Sequence, residues 1–427
     1  MPEIVQSIGD FAFYKCTNLQ TLAIPKNTRT IGNSSFEECT SLDSVVLNVN
    51  LNTIGNNAFR GCINIKKISI PKNVLSIGER SFANCESLKT VTFSKKMTTI
   101  AKAAFENCQE LKKLKNLVNI QVIESHAFHD CTSLKQIDLS NVERIRSSAF
   151  HGCSSLESVN ITNVYHIGNG TFKGCTSLKE IKLPECLKEI GSSAFEGCSL
   201  IEDIEIPEKV TSISEAAFAE CENLRSIKLP CSIKEIMDNC FFNCCNLTEI
   251  TLHEGILVIG KSVFVGCTSL KKIVIPGSVT KIDESCFEDC LSLEEIIIPK
   301  SVKSIEKGAF SNCKKLEELE LPEAIETISE KMFYNCSSLK KIKIPDSVRS
   351  IENNAFEECV LIKRIDIPNV VSIGENSFKG CTSLEMIVLN ESLEKLGGFA
   401  FSKCSSLREF PLPENITKIE PGLFQFC

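Results

Sequence analysis

Residues 255 to 262 read GILVIGKS and fit the phosphate-loop pattern GxxxxGK(S/T). In a nucleotide-binding protein this pattern lies between a strand and a helix, where free backbone amides face the phosphates. A match of eight letters is a hypothesis that only the surrounding structure can confirm. The elements on either side of it therefore decide whether the chain binds a nucleotide.

The cysteines are a second set of residues with chemical potential. Of the 24, nineteen follow one another at intervals of 23 residues, with three intervals of 22, from Cys16 and Cys39 to Cys404 and Cys427. If these residues stack at the strand spacing of about 4.8 Å, their Cβ atoms are farther apart than the 3.5 to 4.5 Å of a disulfide. Zinc sites use paired ligands at short spacing, which the series lacks. We therefore expect reduced thiols that fill a core.

Histidines are few. His129 and His151 occupy equivalent places one period apart, with His126 and His166 nearby, and the four could cluster on one edge. We expect exposed turn residues instead, because no carboxylate or cysteine recurs beside them at ligand spacing. No nucleophile and base pattern is recognisable either. The sequence therefore predicts no catalytic, cofactor-binding or metal-binding residues, and a protein that is not an enzyme.

A fixed period governs the whole chain and indicates a repeat architecture. One unit reads CTSLKKIVIPGSVTKIDESCFEDC, residues 267 to 290. It places apolar residues 3, 6, 8, 12 and 15 positions after the cysteine, and a phenylalanine three residues before the next cysteine. That phenylalanine recurs in every unit, from Phe13 to Phe424.

Each unit contains one short stretch with the alternation of a half-buried strand, such as KKIVIP, where proline ends the run. We expect one strand of about four to six residues per unit, followed by turns and short 3₁₀ or extended pieces. Three units, around residues 139–145, 161–167 and 367–373, lack one residue between strand and valine, which predicts a turn there. Asn116 stands where an apolar residue belongs, so we expect a local distortion.

These patterns predict a β-rich solenoid of about 18 repeats of 22–23 residues. A parallel sheet forms its concave face, and short irregular or 3₁₀ segments form the convex side. The whole of 1–427 is expected to be a single solenoid domain without complete capping repeats, which leaves its ends open to end-to-end association. In this register Ile256 and Ile259 of GILVIGKS point into the core, so we reject the nucleotide site.

The pattern LxxIxLPxxVxxIxxxAFxxC, as in LEEIIIPKSVKSIEKGAFSNC at 293 to 313, resembles the BspA-type leucine-rich repeat. The resemblance covers essentially the whole chain. The asparagine or cysteine that ordinarily follows the strand by three residues is variable here, so the usual asparagine ladder is not expected. Relatives are commonly surface proteins of anaerobic bacteria and protist parasites, and the resemblance implies adhesion or binding of host proteins.

Composition narrows the choice of partner and compartment. A net charge of -7 gives no basic footprint for nucleic acid, and no apolar stretch reaches the length of a transmembrane helix. The N-terminus lacks the features of a secretory signal. That absence and the free thiols favour the cytoplasm, whereas the resemblance suggests the cell surface, and both remain open.

The outward strand positions provide a candidate binding face. Val274 and Ile297 are adjacent apolar residues on a face that should be wet, and a charged border follows at Glu318, Glu320, Lys341 and Lys343. An apolar centre with a polar rim is typical of a protein-binding site. The alternative is that β-branched residues stand there for strand propensity. Met386, Val388 and Pro411 form a second, weaker candidate.

The sequence thus predicts a non-enzymatic protein-recognition module, adhesive or receptor-like, that binds a protein partner through its strand face. The alternative is an intracellular structural or scaffold protein. No residue identifies the partner.

Overall fold

The computed structural model describes residues 1–427, which form two compact units, Met1–Val210 and Thr211–Cys427. Both are built from short strands and turns, without a helix. Each unit is a β-solenoid with parallel strands, as the repeat period predicts. That the two together form one uninterrupted solenoid domain stays a prediction.

Nearly every repeat contributes two strands where the sequence predicted one. The first has three residues in nearly every repeat and lies at the alternating stretch; the second has two residues and ends on the next inward isoleucine or leucine. Strands one period apart lie side by side and are hydrogen-bonded in groups of two to six, so each unit carries a long-strand ladder and a short-strand ladder. The remainder of each repeat consists of turns and irregular segments rather than 3₁₀ helix.

In the first unit the long-strand ladder comprises β2 (Thr21–Ala23), β4 (Ser44–Val46), β6 (Lys67–Ser69), β7 (Thr90–Thr92), β9 (Lys113–Lys115), β11 (Gln136–Asp138), β13 (Ser158–Asn160), β15 (Glu180–Ile181) and β17 (Asp203–Glu205). Its short-strand ladder comprises β1 (Ser7–Ile8), β3 (Thr30–Ile31), β5 (Thr53–Ile54), β8 (Thr99–Ile100), β10 (Val122–Ile123), β12 (Arg144–Ile145), β14 (His166–Ile167) and β16 (Glu189–Ile190).

In the second unit the long-strand ladder comprises β19 (Ser226–Lys228), β21 (Glu249–Thr251), β23 (Lys272–Val274), β25 (Glu295–Ile297), β27 (Glu318–Glu320), β29 (Lys341–Lys343), β31 (Arg364–Asp366) and β33 (Met386–Val388). Its short-strand ladder comprises β18 (Ser212–Ile213), β20 (Glu235–Ile236), β22 (Val258–Ile259), β24 (Lys281–Ile282), β26 (Ser304–Ile305), β28 (Thr327–Ile328), β30 (Ser350–Ile351), β32 (Ser372–Ile373) and β34 (Lys395–Leu396).

The register of the strands follows the sequence period. Ile273 pairs with Ile296 across 23 residues, and Ile137 pairs with Val159 across 22. The shorter repeat keeps the same pairing because its missing residue falls at the turn around Ser140, where a deletion leaves the strands undisturbed. The prediction of a turn at that place is confirmed.

The core is a set of inward columns. In the repeat quoted above, Leu270, Ile282 and Phe287 are fully buried and Ile273 is 2 % exposed. The phenylalanine rings stack with centroids 5.0 to 5.7 Å apart in the first unit and 5.2 to 5.9 Å apart in the second. Burying a ring of this size contributes roughly 1.5 to 3 kcal/mol, so each repeat gains most of its stability from its neighbours.

The turn before each cysteine is held by a third ladder of hydrogen bonds. The residues five and one before the cysteine have positive φ in every repeat, as at Ser262 and Gly266. In this backbone conformation every second amide points toward the following repeat. The amides of Ser262, Phe264 and Gly266 each donate to one of its carbonyls at 2.9 Å. The closing segment is therefore a cross-linked turn, and no helix is needed to satisfy its amides.

Asn116 is the one residue with positive φ outside these two series, at 65°. Its side-chain amide donates to the carbonyl oxygen of Phe93 at 3.2 Å, and the residue is exposed. Asparagine tolerates this left-handed conformation better than the aliphatic residues of other repeats. The predicted distortion is confirmed.

Candidate protein-binding face

The phosphate-loop pattern lies in a setting that leaves no room for a phosphate. Ile256 is fully buried and Ile259 is 1 % exposed. The amide of Gly260 donates to Ile236 and that of Ser262 to Glu284, while the Lys261 Nζ lies 2.8 Å from a Glu284 carboxylate oxygen. With its amides and its lysine occupied and no helix behind it, the segment is one closing turn of the solenoid.

Except for Cys16 and Cys427 at its two ends, the thiols of the regular cysteine series fill the core, as predicted. All 24 cysteines are unpaired, and only Cys16, Cys231 and Cys427 are exposed. The buried members donate their Sγ hydrogen to the phenylalanine carbonyl of the preceding repeat, as Cys336 does at 3.1 Å and Cys290 at 3.2 Å. Burial raises the pKa of the Cys336 thiol to about 12, so these groups are protonated and inert at neutral pH.

Three of the histidines form a half-buried cluster, which corrects the expectation of separate exposed turn residues. The ring centroids of His129 and His151 are 4.6 Å apart and those of His126 and His129 are 5.5 Å apart. The His129 Nδ1 lies 3.1 Å from a carboxylate oxygen of Asp130. Adjacent repeats place equivalent positions side by side, which sets the contact. No group of three or more ligating side chains is arranged to hold a metal ion.

A pair of apolar side chains lies on the outward side of the long-strand ladder in the second unit. Val274 and Ile297 are direct partners on β23 and β25. Their exposed fractions are 48 % and 46 %, whereas Ile273 and Ile296, the residues directly before them, face the core. The pair therefore forms a continuous apolar area on a face whose outward side chains are mostly polar or charged.

The charged border follows on the next two strands. Glu318 pairs with Lys341 and Glu320 with Lys343 in register. The Lys341 Nζ lies 2.8 Å from Glu318, but the Lys343 Nζ turns to Glu323, in the adjacent turn, at 3.0 Å. The long, flexible side chain of Lys343 reaches past its strand partner Glu320 to this contact. Glu320 consequently keeps an exposed carboxylate without an ion pair.

Five of the six predicted residues line one shallow groove of about 1100 Å³, and Val274 lies outside it. The groove continues over Lys363, Arg364 and Asp366 to Leu361. Arg364 and Asp366 follow from the same repeat positions carried one strand farther. Lys363, at the end of the loop before that strand, and Leu361, in a turn, had no signal in the strand pattern. The weaker candidate residues Met386 and Val388 are exposed on β33, at 49 % and 37 %, as is Pro411 beyond it.

The structure contains no helix that is long and apolar enough to cross a membrane. Among curated proteins, none matches the chain.

Solved structures that are similar to this chain include two bacterial proteins. A leucine-rich repeat protein from Bacteroides ovatus is 29 % identical with a TM-score of 0.57, over 91 % of this chain and 86 % of that one. A leucine rich cell surface protein from Faecalibacterium prausnitzii is 29 % identical with a TM-score of 0.49, over 69 % of this chain and 83 % of that one.

The family described as "BspA type Leucine rich repeat region (6 copies)" matches residues 1–112, 104–202, 188–317 and 303–427. These segments extend over the whole sequence, and the repeat geometry agrees with them. The chain belongs to the BspA-type leucine-rich repeat family.

Proposed function

We propose that this protein is a non-enzymatic recognition module that binds a protein partner through the outward side of the long-strand ladder in its second unit. Leucine-rich repeat proteins typically bind other proteins. An adhesive or receptor-like role on a cell surface is the form of this proposal that membership of the family favours.

The observation that carries the proposal is the exposed pair Val274 and Ile297. Leaving two aliphatic side chains half in water forgoes the roughly 25 cal/mol per Å² that their burial would contribute. A partner that covers them recovers this free energy. The neighbouring Glu320 carboxylate and Lys343 ammonium supply the polar rim that sets orientation.

The experiment is a capture assay with the purified protein as bait. Wild type is compared with the double variant Val274→Glu/Ile297→Glu, which replaces the apolar pair by two charges. Val46→Glu is the matched control, because Val46 occupies the same outward position on β4 of the first unit and is 63 % exposed.

We expect partners recovered by wild type and by Val46→Glu to be lost from the double variant. Equal recovery by all three proteins would exclude this face as the binding site. Circular dichroism of each variant establishes that the solenoid is folded, which the outward placement of all three side chains predicts.

A further inference from the structure

Tyr165, on the turn before β14, lines two grooves in the first unit. The smaller, of about 380 Å³, is lined by Arg144, Arg146, His166 and Lys188 among others. The larger, of about 770 Å³, runs past Asn119, Gln121, Asn141 and Asn163. Because one side chain lines both, the grooves adjoin and one elongated ligand can occupy them together.

Arg144 is held in place by Tyr165. Its guanidinium carbon lies 5.5 Å from the centroid of the tyrosine ring, and both Nε and Nη2 donate to the phenolic oxygen, Nε at 3.1 Å. This cation–π contact and the two hydrogen bonds to the phenolic oxygen hold the planar guanidinium without an acidic partner. The Nη1 edge retains donors in the fork geometry that matches a carboxylate or a sulfate.

The charge of the two grooves is opposite to that of the whole protein. Lys95, Lys96, Arg144, Arg146 and Lys188 line them.

Against these five stand the lining carboxylates of Glu143 and Glu189, and Glu124 ion-pairs with Arg146 at 3.0 Å beside the smaller groove. The chain as a whole carries a net charge of -7. This local excess of cations favours an anionic ligand.

The larger groove selects for a ligand that is polar along its length. The side-chain amides of Asn119 and Asn163 donate to the backbone carbonyls of Lys95 and Ser140, which leaves each Oδ1 as an oriented acceptor. Val118 is the single aliphatic side chain in the lining. Peptide sites ordinarily offer apolar pockets for anchoring side chains, and this groove offers none.

We propose that these adjoining grooves bind an acidic oligosaccharide. Arg144, supported by Tyr165, receives the sulfate or carboxylate group, and the amides of the larger groove accept hydrogen bonds from the sugar hydroxyls. The site lies in the first unit and is independent of the protein-binding face proposed on the second. Arg144 and the amides touch the ligand, and Tyr165 is a positioning residue.

Isothermal titration calorimetry tests the proposal with four probes: a heparin-derived hexasaccharide, a hexamer of galacturonic acid, neutral cellohexaose and a phosphoserine peptide. We expect one or both acidic sugars to bind at a single site at least about tenfold more tightly than cellohexaose, since a charge-assisted hydrogen bond is involved. Comparison of the two acidic sugars identifies sulfate or carboxylate as the group recognised.

Arg144→Gln and Tyr165→Ala are expected to weaken binding by about tenfold or more. Arg349→Gln is the control, because Arg349 is an exposed arginine beside the short-strand ladder of the second unit that bonds only to nearby backbone carbonyls. Arg144→Lys keeps the charge without the planar fork and serves if the glutamine variant does not fold; it too is expected to bind more weakly.

Three results would overturn the proposal. The first is binding of both acidic sugars no tighter than that of cellohexaose. The second is unchanged affinity in folded Arg144 variants. The third is tighter binding of the phosphoserine peptide than of either acidic sugar. The double variant Val274→Glu/Ile297→Glu is expected to bind the sugars normally, which separates this site from the protein-binding face.

Discussion

The Sγ of Cys313 donates a hydrogen bond to the carbonyl oxygen of Phe287, 3.2 Å away in the preceding repeat. The ring of Phe287 in turn stacks on Phe310, three residues before that cysteine, at 5.7 Å. Thiol and ring thus bind the same two repeats together. Since the relationship recurs through both units, the cysteines are structural donors rather than redox groups.

This arrangement predicts a graded thiol reactivity. In the native protein under reducing storage, a disulfide-exchange reagent should label Cys16, Cys231 and Cys427 rapidly and the half-buried Cys186 and Cys245 more slowly. The remaining thiols should react only after unfolding, because reagent access and thiolate formation both require exposure. Mass spectrometry of labelled peptides measures this order. Rapid labelling of Cys313 in folded protein would contradict the structural role.

The buried thiols also predict a loss of stability in alkali. Burial raises the pKa of the Cys153 and Cys336 thiols from an ordinary 9.0 to about 12. Above pH 9 the unfolded chain releases thiol protons that the folded chain retains, so unfolding becomes more favourable as pH rises, by up to about 1.4 kcal/mol per pH unit for each such thiol.

The midpoint of urea unfolding, measured with reductant at pH 8, 9 and 10, tests the predicted loss of stability. We expect the midpoint to hold or fall little between pH 8 and 9 and to fall steeply between 9 and 10. A midpoint that stays constant to pH 10 would mean that the thiols titrate equally in both states.

Gly9 and Gly78, which occupy the same repeat position just after the inward isoleucine, provide a prediction with an internal control. A methyl group on Gly78 would overlap the backbone of Gly55 and Asn56 in the preceding repeat, whereas one on Gly9 has no atom within 4 Å. Gly78→Ala should destabilise the first unit by about 3 kcal/mol through overpacking. Gly9→Ala, at the same repeat position, should leave stability unchanged or slightly higher. Thermal melting of the two variants tests this difference in stability. Equal melting temperatures would refute the close approach of Gly78 to the preceding repeat.

The sequence period was sufficient to predict which residues become neighbours. Val274 and Ile297 lie opposite each other because they are one period apart, and their outward direction follows from the alternation of the strand. The same arithmetic predicted the buried phenylalanine column. Periodicity alone carries these predictions, since every repeat must present the same side chains to the next.

Two features could not be predicted from the repeat period. The short strands, such as Lys281–Ile282, contain one inward residue each, too few for an alternation to be detected. The left-handed turn positions hold residues as different as Ser262, Lys331 and Phe399, so composition does not reveal them. Their conformation is imposed by hydrogen bonds between repeats, which exist only in the assembled stack. The groove around Tyr165 likewise depends on side-chain placement within that stack.

The histidine cluster has charged neighbours on both sides. Desolvation, and then the charge of His129, lower the pKa of His126 and of His151. Among neighbouring charges, Glu106 opposes this effect at His126 and Asp130 opposes it at His151. The basic neighbours reinforce it: Lys102 and Arg80 at His126, and Lys173 at His151.

The cluster therefore predicts that the first unit loses stability in mild acid. The folded-state pKa values of His126 and His151 lie below the unfolded value of 6.5, so below that pH the unfolded chain binds more protons and the free energy of unfolding decreases. His151→Gln removes one of the titrating rings and should flatten the decline of the urea midpoint between pH 7 and 5.5. Equal slopes for wild type and His151→Gln would show that the cluster titrates alike in the folded and unfolded chain.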